Sequence, residues 1–291
     1  PHLDPHEAAS FVARTADIPY LAQLPNRHPE EGMLLQWGDG LCGCGAGGAL
    51  GLEFGAREGD RSEAFVGAEV SLAATIEATV KTQATGPVTL GLAMLAGGHP
   101  GGDDLWSCVV EGLVDRIASH LARIAGARPD VDVVLVLDEP ALGTGDPDVD
   151  VGPAREVLAE IFDRLPLRPG IHCCGDAPWS ALLDLRPSSL SFDPSAIGRG
   201  FERSIDDLAR AVSEGTRIIW GAVPTVPPPL PSLDLLVSRI RRIEGALVMA
   251  GADLRRLGDA WVSPACGMSG LTEDQALVVA RRTAEVAEEL H

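Results

Sequence analysis

The sequence predicts an α/β fold of the TIM (β/α)8 barrel class, its first strand truncated or missing at the N-terminus, on three observations. Strand-like and helix-like segments alternate along almost the whole chain with short connections, which implies a parallel sheet covered by helices. The 291 residues, 45 % of them hydrophobic, suffice for one large core, and barrels reach this size as single domains. The chemically capable side chains fall at the C-terminal ends of successive strand segments, where barrels gather their active-site groups.

A helix pattern covers about residues 5 to 16 and leads into a short strand candidate, Ile18 to Leu24. The glycine-rich stretch from Met33 to Phe54 reads as a loop or small hairpin. A helix from about Ser62 to Val80 precedes the strand Val88 to Leu95 and the helix Asp104 to Ala127. Strands then alternate with helices: Val131 to Leu137 with Val151 to Leu165, Gly170 to Cys174 with Trp179 to Leu185, and Ser189 to Phe192 with Glu202 to Glu214. Arg217 to Ala222 with Leu233 to Ala250, and Ala260 to Ser263 with Thr272 to Leu290, complete the series. Thr272 with Gln275 three residues later has the form of a capping box, which marks the start of the last helix. Seven strands result, and an eighth would directly precede Pro1. An open doubly wound sheet is the rival, but no Gly-x-Gly-x-x-Gly follows the first strand.

Charge and composition exclude several function classes. The net charge of −19, from 42 acidic and 23 basic residues, repels phosphate backbones and acidic membrane surfaces, so neither nucleic acid nor membrane is expected as a partner. Lys81 is the single lysine. Apolar runs such as Val133 to Leu137 are too short to span a bilayer and the first residues do not resemble a signal peptide, so a cytoplasmic protein is expected. Six cysteines in a chain of this length do not form the spaced framework of a small secreted domain, and reduced thiols are expected. Cys42-Gly43-Cys44 reads as a loop, with a second metal or redox pair as the alternative, and Cys108 as a small core residue.

The informative cluster is His172, Cys174 and Cys266. The first two stand two apart in Gly170-Ile171-His172-Cys173-Cys174-Gly175, and the third lies in Ser263-Pro264-Ala265-Cys266-Gly267. Residues i and i+2 of a strand face the same side, so His172 and Cys174 can converge while Cys173 turns away. One imidazole and two thiolates suit zinc, and an open fourth position would make the site catalytic. Asp138, Glu139, Asp193 and Thr225 fall at other strand ends. By itself Asp193 reads as a carboxylate that caps the following turn. Lys81 reads as a solvated charge at a helix end, and His99 as part of a loop.

Together, Lys81-Thr82-Gln83-Ala84-Thr85-Gly86-Pro87-Val88-Thr89, Asp138-Glu139-Pro140-Ala141, His172-Cys173-Cys174, Leu190-Ser191-Phe192-Asp193 and Pro264-Ala265-Cys266-Gly267 resemble the catalytic barrel of cobalamin-independent methionine synthase. That barrel lies in the superfamily that also holds uroporphyrinogen decarboxylase. The resemblance implies a zinc-dependent thiol methyltransferase. It places the metal on His172, Cys174 and Cys266, with Asp193 where the family has a glutamate, and gives the amino group of homocysteine to Asp138, with Glu139 as a second candidate. Two departures stand out. The full-length enzymes carry a second, N-terminal half, and the family has a histidine near the end of the seventh strand, whereas Trp220-Gly221-Ala222-Val223-Pro224-Thr225 has none.

A free thiol has a pKa of roughly 8.5 and reacts as the thiolate, so zinc would activate the acceptor. Methyltetrahydrofolate is a poor donor whose leaving amine needs a proton and whose charged tail needs a basic groove. A methylated corrinoid leaves without a proton. The expectation is therefore methyl transfer from methylcobalamin or a methylated corrinoid protein to homocysteine, giving methionine. The alternatives are methyltetrahydrofolate as donor, another thiol such as coenzyme M as acceptor, and a non-catalytic zinc or corrinoid-binding barrel.

Overall fold

The computed structural model describes residues 1–43, 62–143 and 152–291. They form two compact units, one of His2–Asp138 with Glu156–Arg168, the other of Pro1, Glu139–Arg155 and Pro169–His291.

The first unit opens on α1 (Pro5–Thr15), where Asp4 Oδ1 accepts from the amides of His6 (2.7 Å) and Glu7 (3.4 Å). Pro5 fills the first helical turn, where a missing N–H costs nothing. The short helix α2 (Met33–Gly38) and α3 (Val66–Ala74) precede β1 (Thr79–Thr85). Next come α4 (Pro87–Ala96), the long α5 (Asp103–Ala127), β2 (Asp132–Asp138) and α6 (Gly152–Arg164), which belongs to this unit from Glu156 onward. β1 and β2 pair in parallel, from Thr79 opposite Asp132 to Thr85 opposite Asp138.

Three expectations are corrected here. The segment Ile18 to Leu24 contributes one parallel bridge, Tyr20 to Lys81, instead of a strand. Leu21 N donates to Lys81 O and Lys81 N to Pro19 O, both at 2.8 Å, but Pro19 has no N–H with which to continue the ladder. Around β1, the expected helix to Val80 stops at Ala74, and the expected strand Val88 to Leu95 is the helix α4. Short apolar runs do not distinguish buried strand from buried helix, and Pro87 at the first turn decides for helix. In β1, Val80, Thr82 and Ala84 are buried between half-buried Lys81 and Gln83, a period of two whose buried side includes a threonine. Lys81 therefore lies within a strand, its Nζ donating to Gln83 Oε1 at 3.1 Å.

The expectation of reduced thiols is also corrected at two positions. Cys42 and Cys108 form a disulfide with Cα atoms 5.6 Å apart. Leu41 packs over Gly112 and Arg116 donates to the carbonyls of Trp37 and Asp39, so residues 37–42 run along α5 and bring Cys42 to Cys108. Cys44 lies outside the described residues.

In the second unit β3 (Gly170–Cys173), α7 (Trp179–Leu183), β4 (Ser189–Phe192), α8 (Arg199–Arg203), α9 (Ile205–Glu214) and β5 (Arg217–Val223) follow one another. α10 (Leu233–Met249), α11 (Leu254–Gly258), β6 (Trp261–Pro264) and α12 (Glu273–Leu290) complete it. The four strands pair in parallel and in sequence order. The Thr272–Gln275 capping box opens α12 as expected. Cys173, Phe192 and Trp220 are register partners on three strands. All three are buried, and Phe192 contacts Trp179 and Phe201 with ring centroids 5.5 and 5.1 Å away. This face therefore carries the core, and His172 and Ser191, also register partners, belong to the opposite face.

The described residues thus hold six strands where the sequence suggested seven or eight, all in parallel pairs within each unit. No helix among them is long and apolar enough to cross a membrane.

Candidate metal centre

The second unit brings His172, Cys174 and Cys266 together. One ligand atom from each lies within 4.8 Å of the other two. His172 is the third residue of β3, Cys174 stands immediately beyond its end, and Cys266 follows the end of β6 by two residues. Ala265 N donates to Val223 O at 2.9 Å, which holds the Cys266 segment against the end of β5. His172 and Cys174 are half-buried and Cys266 is exposed, so the cluster sits at the surface end of the strands. Cys173 points into the core, fully buried. Burial pushes its thiol up to about 11, which leaves it a neutral hydrophobe at ordinary pH.

The imidazole is held in place by its neighbours. His172 Nδ1 is 2.9 Å from Ser191 Oγ on β4, and His172 O accepts from Glu139 N at 2.8 Å. With Nδ1 engaged, Nε2 is the nitrogen left for a metal, and such an outer hydrogen bond fixes both tautomer and ring orientation. Ser191 is a residue that sequence reasoning quoted without assigning a role. Its signal was there, since it stands two before Asp193 on the strand next to His172.

The two thiols differ in acidity. Hydrogen bonds from Cys174 and His172 hold the Cys266 thiol down at about 4, whereas the bond to Cys266, together with burial, pushes Cys174 up. The two thiols are therefore coupled through the hydrogen bond between them. An imidazole with two cysteine sulfurs is a sulfur-rich donor set of the type that binds a soft or borderline divalent cation.

The remaining expected residues are distributed as follows. Asp193 turns Oδ1 toward Ser195, accepting from its amide and its hydroxyl at 2.7 Å each, and is not in the group of three. Glu139 is fully buried, one residue beyond Asp138, which ends β2 and is half-buried. Asp138 O accepts from Gly86 N at 2.9 Å. Thr225 follows β5 and is half-buried. His99 lies in the loop that follows α4, its Nδ1 accepting from Gly101 N at 3.1 Å. Glycine is required where the loop after Cys174 meets the loop after Glu139: a Cβ on Gly175 would lie 2.8 Å from Gly143 O and 2.9 Å from its Cα.

Fold and site together define an α/β protein of parallel strands with a histidine and two cysteines at the strand ends, close enough together that they could hold a metal ion. Among known proteins, the chain is similar to a methionine synthase from Methanothermobacter marburgensis, with 26 % identity over 176 residues, 60 % of this chain. It spans about half, 51 %, of that relative's length. Two solved structures share the fold at 15 % identity. A methyltransferase from Methanosarcina mazei has a TM-score of 0.57, with 99 % of this chain and 86 % of that one covered. A B12-independent methionine synthase from Shewanella sp. W3-18-1, in complex with selenomethionine, has a TM-score of 0.53, with 76 % and 64 % covered. No family model matches the chain. The likeness in sequence to a methionine synthase thus covers 60 % of the chain, and the likeness in fold to the two structures covers 76 % and 99 % of it.

Proposed function

We propose that this chain is a zinc-dependent thiol methyltransferase that moves a methyl group to homocysteine to form methionine, with methylcobalamin or a methylated corrinoid protein as donor. The observation that carries the reading is the convergence of His172, Cys174 and Cys266, whose ligand atoms are close enough to share one ion. The donor set fits the group: one imidazole with its second nitrogen already engaged by Ser191, and two cysteine sulfurs within reach of the same point. Three protein donors leave a tetrahedral ion one position for substrate. Zinc bound there would supply the positive charge that favours the thiolate form of the acceptor.

The chain's own residues do the rest. Ser191 orients His172, and the backbone bond from Glu139 to His172 O fixes the strand end on which it sits. Cys266, exposed, leaves the donor set open toward solvent. Asp138, with Glu139 as the second candidate, is assigned to the amino group of homocysteine on the family resemblance. We take Asp193 as a turn cap, because its Oδ1 already serves Ser195. The preference for a corrinoid donor rests on the stretch Trp220 to Thr225, which has no histidine to protonate a folate amine, and on the strongly acidic charge balance.

The test is turnover by the zinc-loaded protein with homocysteine and methylcobalamin. Methionine should form, and His172→Ala or Cys266→Ser should abolish both zinc retention and turnover. Turnover that survives metal removal would end this reading.

A further inference from the structure

Asp176 stands two residues beyond Cys174, in the loop between β3 and α7, and its carboxylate joins two loops. Its Oδ1 accepts from Trp179 Nε1 (2.9 Å) and from Phe201 N (3.2 Å), and Oδ2 accepts from Gly200 N (3.1 Å). The first bond ties the loop to the start of α7, through a tryptophan that is only 1 % exposed. The other two tie it to the first turn of α8, in the connection that follows β4. The fit is close from the far side: a Cβ on Gly198 would lie 2.5 Å from Asp176 Oδ2, and one on Gly200 would lie 3.0 Å from Oδ1. Two glycines more than twenty residues away thus make room for this one carboxylate.

The carboxylate also caps α8, whose preceding residue Gly198 has no side chain to do so, and it thereby ties that helix to the loop that carries Cys174. The geometry serves the loop. Cys174 lies beyond the last hydrogen-bonded register pair of β3, Cys173 with Phe192, so the sheet does not fix its position. On its far side the fixed points are Gly175, wedged against Gly143, and Asp176.

We propose that Asp176 is a positioning residue for the metal centre: its three hydrogen bonds hold the Cys174 loop so that the Cys174 sulfur stays beside His172 and Cys266. The proposal rests on the metal reading above and adds to it a residue that touches neither metal nor substrate. Outer residues that orient ligands typically alter metal affinity 10- to 100-fold, roughly, when removed. Asp176→Ala is expected to weaken cobalt(II) binding within that range. Asp176→Asn keeps one acceptor oxygen but sets an NH2 group against an amide donor, and is expected to fall between alanine and wild type.

Cobalt(II) alone is the probe, titrated into the full chain well below the melting temperature of each variant, with the thiolate-to-cobalt absorption band as readout. Asp207→Asn is the control for general destabilisation. Asp207 accepts from Ser180 Oγ at 2.7 Å and pairs with Arg210 in the same unit, so this variant is expected to melt earlier yet bind cobalt as wild type does. Should Asp176→Ala not fold, Gly198→Ala crowds the same carboxylate from the other loop and is expected to weaken cobalt binding several-fold. A wild-type protein with no thiolate band would overturn both the metal reading and this inference. A normal wild-type band, with Asp176→Ala or Gly198→Ala binding cobalt as tightly as wild type, would overturn this inference alone.

Discussion

Replacing Ser191 by alanine removes one hydroxyl, and the structure sets the size of the effect. Ser191 is 7 % exposed, and its Oγ lies 2.9 Å from His172 Nδ1. A single neutral hydrogen bond of this kind contributes about 1 kcal/mol net to folding, so the metal-free protein should lose only that much stability. The metal-bound protein should lose more, because the ring is then free to rotate and to change tautomer. Loss of such an outer bond typically weakens a metal site about 10- to 100-fold, which converts to about 1.4 to 2.7 kcal/mol. Zinc competition against a chromophoric chelator, run on wild type, Ser191→Ala and Ser191→Thr, measures this directly. Threonine keeps the hydroxyl and should restore most of the affinity. Equal zinc affinity for alanine and wild type would show that the Ser191 bond does not orient the ligand, and the account of His172 would fail.

Other consequences can be checked independently. His120 is buried against Phe65 and Trp37, and burial holds its imidazole down at about 4. With an unfolded value near 6.5 the unfolded chain binds the extra proton first, so the stabilisation is complete above about pH 6.5 and is lost as pH falls toward 4. A fall from 6.5 to about 4 corresponds to about 3 kcal/mol. Urea unfolding across that range should show the loss, and His120→Gln should remove most of it. The disulfide between Cys42 and Cys108 spans a sequence separation of 66, which by loop entropy stabilises by at most about 4 kcal/mol. Cys108→Ser, or a dithiol reductant, should lower the denaturation midpoint, and equal midpoints would refute the cross-link. Asp193→Asn should leave the zinc content unchanged, whereas a fall in bound zinc would make Asp193 a ligand after all.

Sequence periodicity located β2, β3, β4, β5 and β6 to within a residue or two, because each is a short run bounded by clear breakers and followed by an amphipathic helix. It failed at β1 and α4. There the strand carries lysine, glutamine and three threonines, while the helix carries eight apolar residues with a glycine among them, so hydrophobicity pointed the wrong way and only Pro87 signalled a helix start. The cluster of His172, Cys174 and Cys266 was legible because the period of a strand places His172 and Cys174 on one side and a parallel sheet collects strand ends. Ser191 and Asp176 were not assigned, since their roles depend on which strands neighbour one another and on where two loops meet, and neither is written in local spacing. The partnership of Cys42 with Cys108 was hidden for the same reason.

The most direct test of the central claim is X-ray absorption at the zinc edge of the purified protein, before and after addition of homocysteine. The account predicts one zinc per chain with two sulfurs and at least one nitrogen at first, and three sulfurs once the acceptor thiol is present. A metal-free protein, or a sulfur count that does not change with homocysteine, would contradict it.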